Sequence, residues 1–295
     1  MTSRSLKRFS YTLLVGPSVL VYALVIVFPV AASLLLSFTK WSVFGAPQFI
    51  GLVNYVQMFK SAWFMLSLRN NALVVAISVF GQIPLGFVLA YFIYRRLVRG
   101  GKFFEVMIFL PITISQIVVA ILWNRIFTPV GMLTQLVRAL TGNHDYSFLM
   151  MTRPLIAIVP VLFVILWMYT GLYMIIILAN LQKIPISTVE AAVMDGAKEG
   201  QILGRVIIPA MVNVLFTMTV LAISGSFTGF ALIYAMTSGG PAHYTYVLAL
   251  YMYQNTFYYY EYGFGSAVSI VIVALSMGLI GITQAISRFF ERRYE

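Results

Sequence analysis

From Phe9 to Thr39 the chain runs without a single Asp, Glu, Lys or Arg, and five further stretches repeat the pattern: 70–94, 106–124, 154–182, 206–260 and 262–287. A helix that crosses the hydrocarbon core of a bilayer needs about 20 mostly apolar residues. Within lipid every backbone N–H and C=O must find its partner inside the protein, so long apolar runs of this kind resolve as helices. Hydrophobic residues are 61% of the chain and charged residues 9%, against about 25% charged in soluble domains. A soluble fold of this length has no way to hide that much apolar surface. The fold class is therefore an all-α polytopic membrane protein.

The 206–260 run is too long for one span and is broken by Thr237-Ser-Gly-Gly-Pro-Ala-His243, a strong turn signal. Six spans result, at about 11–38, 70–94, 104–126, 154–182, 206–236 and 263–288. Residues 1–10 form a short N-terminal segment, and 11–295 form a single transmembrane domain with a connecting loop at 183–205. The first apolar stretch is longer than the 7–15 residues of a secretory signal, so it reads as an uncleaved span. Placing both termini in the cytoplasm puts Arg4, Lys7, Arg8, Arg95, Arg96, Arg99, Lys102, Lys183, Lys198, Arg205, Arg288, Arg292 and Arg293 inside. These are 13 of the 19 basic residues, which satisfies the positive-inside rule. The same scatter of basic clusters between apolar runs argues against a nucleic-acid face despite the net charge of +11.

Enzyme chemistry finds little to work with. There is no cysteine, the two histidines (His144 and His243) lie in external turns, and none of the eight acids sits at the centre of a span. Gly239-Gly240-Pro241 lacks the ending of a phosphate-binding loop. No cofactor and no metal site is expected on this chain. At mid-membrane depth only neutral polar side chains occur: Gln82, Gln116, Ser224, Ser226, Thr228 and Asn213. Ion-coupled carriers usually place ionisable groups or unwound backbone there, so energy for uphill transport would have to enter from elsewhere. On the outside, tyrosines crowd 244–262, either as an aromatic belt at headgroup level or as a docking surface for an external partner.

The loop between the fourth and fifth spans is the most informative segment. Ala192, Gly196, Gly200 and Gly204 recur every four residues, which on a helix clears one side for close approach. Glu190, Asp195, Lys198 and Glu199 add polar contacts. Three glycines would each weaken a continuous helix by about 1 kcal/mol relative to alanine, so two short helices with a break near Gly196 are expected. By physics alone, a merely solvated amphipathic loop is an equal alternative.

The run Glu190-Ala191-Ala192, Asp195-Gly196-Ala197 and Ile207-Ile208-Pro209 resembles the EAA loop of binding-protein-dependent ABC importer permeases of the carbohydrate-uptake branch, similar to maltose and glycerol-3-phosphate permease subunits. Ser37-Phe38-Thr39 with Trp41, Gly51 to Tyr55, Phe104, Leu110-Pro111, Gly131-Met-Leu, Thr237 to Pro241, Tyr253 and Gly263 to Ala267 extend the resemblance over nearly the whole chain. Leu203, Asn213 and Ala231 depart from the family's pattern, where an aromatic, a proline and an acid are frequent.

The resemblance implies a type I importer permease fold whose coupling helix, about 187–202, docks in a cytoplasmic ATPase. Glu190, Ala191, Ala192, Asp195, Gly196 and Ala197 are its implied ATPase-coupling residues. The implied partners are a second homologous permease subunit, two copies of the ATPase (which would hold ATP and Mg), an external solute-binding protein, a carbohydrate and the bilayer. The implied location is a bacterial or archaeal inner membrane. For the solute path, Trp167, Tyr169, Thr170 and Tyr173 of span four and Ser224, Phe227, Thr228 and Tyr234 of span five offer rings and hydroxyls. Sugars favour such a lining, although ordinary helix packing produces the same residues. A stand-alone secondary carrier or channel for a small neutral solute is the alternative, and so is a membrane scaffold.

Overall fold

The computed structural model describes residues 14–148 and 156–294. These fall into two compact units: one within residues 1–62 together with Tyr251–Ala274, the other spanning Trp63–Leu250 together with the residues from Leu275 onward.

In the first unit, helix α1 (Leu14–Leu36) buries none of its residues inside the chain, as suits a helix that is apolar on every side and solvated by lipid. It leads into a two-residue antiparallel ladder, β1 (Thr39–Lys40) with β2 (Gln48–Phe49), in which Thr39 faces Phe49 and Lys40 faces Gln48. The amide of Asn54, in helix α2 (Val53–Lys60), donates to the carbonyls of Ser37 and Thr39 at 2.8 and 2.9 Å. The first bond satisfies the carbonyl of Ser37, the cap of α1, and the second ties α2 to β1.

The second unit is built on helix α3 (Ala62–Tyr94), of which all but Ala62 belongs here, and helix α7 (Val159–Leu181). Between them in sequence lie α4 (Gly101–Thr113), α5 (Gln116–Ile126) and α6 (Met132–Thr141). After α7 come α8 (Ile186–Met194), α9 (Glu199–Thr228) and α10 (Ala231–Thr237). Helix α7 is the most buried of the long apolar helices, and α3, α4 and α9 pack around it. The crossing with α4 depends on Gly171: a side chain there would collide with the carbonyl of Ile108 and the backbone of Phe109. Helix α11 (Leu248–Tyr253) begins in this unit, and α12 (Tyr262–Tyr294) ends in it.

Pro29, Pro84 and Pro209 lie inside α1, α3 and α9, and the chain accommodates these three in the same way. A five-residue π-turn ends two positions before the ring: Ala23–Val27 before Pro29, Ser78–Gln82 before Pro84, and Leu203–Ile207 before Pro209. Proline lacks an N–H and its ring presses on the carbonyl four residues back. A locally widened turn gives that carbonyl room without ending the helix. Pro209 therefore lies inside the helix rather than near its start, as a span beginning at about 206 would place it, because α9 already begins at Glu199.

Two expected spans are broken. The 104–126 segment stops two residues after Pro111 and restarts at Gln116, with a bend of 96°. The 206–236 segment ends at Thr228, whose hydroxyl bonds back to the carbonyls of Ser224 and Gly225. Gly229 then leaves helical geometry with ψ 82°, and α10 starts afresh, packed on α5. The second span begins at Ala62, eight residues ahead of the uncharged stretch, and so contains Arg69 near one end. Residues 11–13, 154 and 155 of the first and fourth spans lie outside the described residues. Among the described residues, five helices are long and apolar enough to cross a bilayer, six if the bent α4–α5 pair counts as one span.

Candidate functional site

Two features in the second unit combine polar chemistry with defined geometry, and α3 and α9 reach both of them. One is the 183–205 loop. The other is a cavity bounded by α3, α7, α9, α10 and the start of α5.

In the loop, α8 ends at Met194, with Asp195 as its C-terminal cap. Gly196 takes φ +77°, the left-handed conformation in which glycine alone is unstrained. Helix α9 then restarts, with the backbone N–H of Lys198 donating to the side-chain oxygen of Gln201 at 2.8 Å. This closes half of a capping box. Val189 and Ile202 plug into the apolar core beside Ala90, Leu178, Leu181 and Met211. Ile186, Glu190, Val193 and Met194 form an exposed stripe of α8 beside the buried Val189. A groove of about 970 Å³ runs alongside, lined in part by Arg96, Lys102, Glu105, Glu190 and Met194.

The loop is fastened at one further point. Arg95, which caps α3, donates from Nε and Nη2 to the two carboxylate oxygens of Glu199 at 2.7 and 2.9 Å. The hydroxyl of Tyr91, one turn back along α3, donates to Glu199 Oε1. Glu199 lies ahead of the uncharged stretch of α9. The Arg95 guanidinium, then the Tyr91 hydroxyl, hold its carboxyl down at about 2, and Glu199 in turn raises the pKa of Arg95. Sequence reading noted Glu199 as a polar contact of the loop and missed its partners. An Arg and a Glu 104 positions apart carry no local signal of pairing.

The cavity encloses about 500 Å³, inside the range of about 300–1,000 Å³ for small-molecule sites. Its polar lining is neutral: Ser78, Gln82, Gln116, Tyr169, Tyr173, Ser226 and Thr228, with Phe230 as an aromatic face and, among the described residues, no ionised side chain in its wall. Gln82 is locked by donating Nε2 to the carbonyl of Ile165 at 2.9 Å. Sequence reading identified Gln82 and Gln116 as polar groups at membrane depth but did not count Ser78 or Phe230 among the solute-path residues. These two become visible only once the π-turn of α3 and the break at Gly229 set their direction.

Of the eight solute-path residues proposed from sequence, Tyr169, Tyr173 and Thr228 line this cavity. The other five do not. Trp167 packs edge-on against Trp123, and Thr170 is buried with its hydroxyl spent on the carbonyl of Leu166. Phe227 is buried, Ser224 is exposed away from the wall, and Tyr234 stacks on Phe230. In the loop, Glu190, Ala191, Asp195 and Gly196 are exposed, while Ala192 and Ala197 are half-buried against the core.

A bundle of long apolar helices with a broken span, a neutral cavity and a tethered two-piece loop defines the class: a multi-pass membrane permease. The family described as binding-protein-dependent transport system inner membrane component matches residues 82–295. The probable ABC transporter permease protein YurN of Bacillus subtilis (strain 168) is 34% identical over 236 residues, covering 79% of this chain and 80% of that protein. The lactose transport system permease protein LacF of Rhizobium radiobacter is 30% identical over 258 residues, covering 85% and 86%. Among solved structures, a chain of a bacterial ABC transporter involved in the import of the acidic polysaccharide alginate superposes with a TM-score of 0.82 at 20% identity, covering 97% of this chain and 99% of that one. The chain belongs to the binding-protein-dependent transport system inner membrane component family, the permeases of ABC importers.

Proposed function

We propose that this chain forms part of the translocation path of an ATP-driven importer for a neutral carbohydrate, working by alternating access in a prokaryotic inner membrane with both termini in the cytoplasm. The observation that carries the proposal is the pairing of an uncharged, amide- and hydroxyl-lined cavity with an exposed two-piece loop on the same helices. Stacking faces and neutral hydrogen-bonding groups suit the C–H faces and hydroxyls of a sugar. An ionised solute would lose hydration there without gaining a counter-charge. On that ground the cargo is closer in kind to lactose than to an acidic polysaccharide.

The exposed stripe of α8 (Ile186, Glu190, Val193 and Met194) is the surface on which a cytoplasmic ATPase subunit would seat. Glu190, Ala191, Ala192, Asp195, Gly196 and Ala197 are the coupling residues. ATP and Mg would bind to that ATPase rather than to this chain. A second permease subunit would complete the path, and an external binding protein would deliver the solute. Two ATPases closing on ATP would draw the two coupling loops together and tilt the helices that continue from them.

Co-purification from the native host followed by reconstitution tests the reading. Import of a neutral sugar that requires ATP, the ATPase and the binding protein supports it. A chain that runs alone and moves solute without ATP would be a secondary carrier, and the proposal would fail.

A further inference from the structure

The break at Gly196 poses a mechanical problem. A displacement of α8 that could be absorbed by rotation at a left-handed glycine would never reach the cavity. The apolar attachment through Val189 and Ile202 resists separation of the loop from the core, but apolar packing is non-directional and leaves sliding open. The Arg95–Glu199 fork is directional. Two parallel N–H···O bonds fix the planar guanidinium against the carboxylate in both angle and register. Tyr91, buried among Ala90, Leu178 and Leu181, adds a third donor from the same helix end.

Glu199 is the first residue of α9, and Arg95 is the cap of α3. Farther along, these helices supply parts of the cavity wall: Val74, Ser78 and Gln82 from the middle of α3, and Ala222, Ser226 and Thr228 from the far end of α9. We infer that Tyr91, Arg95 and Glu199 form a clamp that carries displacement of the coupling loop into α3 and α9 together, so that both walls of the cavity move as one. They are positioning residues: they touch neither ATP nor solute. The inference rests on the reading of α8 as the ATPase-coupled element.

The test uses the complete transporter in proteoliposomes and reads the amount of sugar imported per ATP hydrolysed. In Arg95→Ala and Glu199→Gln this ratio is expected to fall about fivefold, the upper end for a partly exposed ion pair, while ATP hydrolysis itself continues. Arg95→Lys, which keeps the charge but loses the fork, is expected to fall in between. The chain has no cysteine, so Arg95→Cys with Glu199→Cys can be bridged by a short bis-maleimide, and bridging is expected to restore the ratio.

Single variants that keep the wild-type ratio, or import and hydrolysis falling in strict proportion, overturn the clamp. So does a bridged pair that stays as uncoupled as the unbridged one. Glu190→Lys on the exposed face of α8 separates the two claims. If it uncouples while Arg95→Ala does not, only the clamp fails. If it too leaves the ratio unchanged, the coupling reading fails.

Discussion

Along α3 and α9, the loop end and the stretch that lines the cavity are chemically opposite. At the loop end, Arg95, Glu199, Lys198, Glu190 and Asp195 concentrate charge, and one carboxylate is held by three donors. At the cavity no ionised side chain among the described residues lines the wall, and the polar groups are amides and hydroxyls, several of them tied to backbone. An ion stripped of water costs several kcal/mol even after the protein relaxes, whereas a neutral group needs only one good hydrogen bond. Charge therefore survives where the chain meets water and transmits force. Neutral polarity survives where a solute must be touched and then let go.

The comparison breaks first if the scaffold that joins the two ends is lost. Gly171→Leu would drive a side chain into the α4 backbone, and overpacking of this kind costs about 1–3 kcal/mol or more. Its expected outcome is a complex of low yield and lowered melting temperature in detergent, read by fluorescence-detected chromatography.

Reversing the chemistry at each end is the next largest effect. Gln116→Glu places a carboxylate in the neutral wall, and transport of a neutral sugar should drop at least about tenfold while the protein remains inserted. At the loop, Glu190→Lys or Gly196→Pro should leave insertion intact and uncouple import from ATP hydrolysis, because proline is fixed near φ −65° and cannot adopt the left-handed turn. Full uptake in both loop variants would sink the coupling role.

Acid should discriminate the ends more gently. The folded carboxyl of Glu199 is depressed to about 2 from an ordinary value of about 4.3. Its contribution is thus fully present above the ordinary value and is lost only as pH falls through about 2. Coupling that depends on this pair should be flat from neutral pH down to mildly acidic conditions in proteoliposomes. The smallest effect is expected at Thr170, whose hydroxyl only bonds back to its own helix. Thr170→Val should change import less than about twofold, since such back-bonding contributes little or slightly destabilises a helix.

The spans were legible because the demand on them is local: a run of about 20 apolar residues has no other stable fate in lipid. The two-piece loop was legible for a similar reason, as Gly196 sits where a left-handed residue is needed between two short helical patterns. The lining of the cavity was less legible. Trp167, Thr170, Ser224, Phe227 and Tyr234 have suitable chemistry but point into packing contacts, into their own helix or away from the cavity. Ser78 and Phe230 have no distinguishing pattern and yet line it. Residue type indicates what a side chain can do, whereas direction depends on π-turns and helix breaks that a hydropathy pattern does not register.

By itself the amino-acid sequence determined that the chain is a helical membrane protein, how many apolar runs it has, and which loop carries the EAA-like chemistry. All of these follow from burial cost and from motifs contiguous in the chain. Only the tertiary structure decided that 104–126 turns by 96° beyond Pro111, that α9 stops at Gly229, and that Arg95 reaches Glu199 from 104 residues away. Each of these depends on where a second helix lies, and that is set by packing between distant segments rather than by the residues on either side.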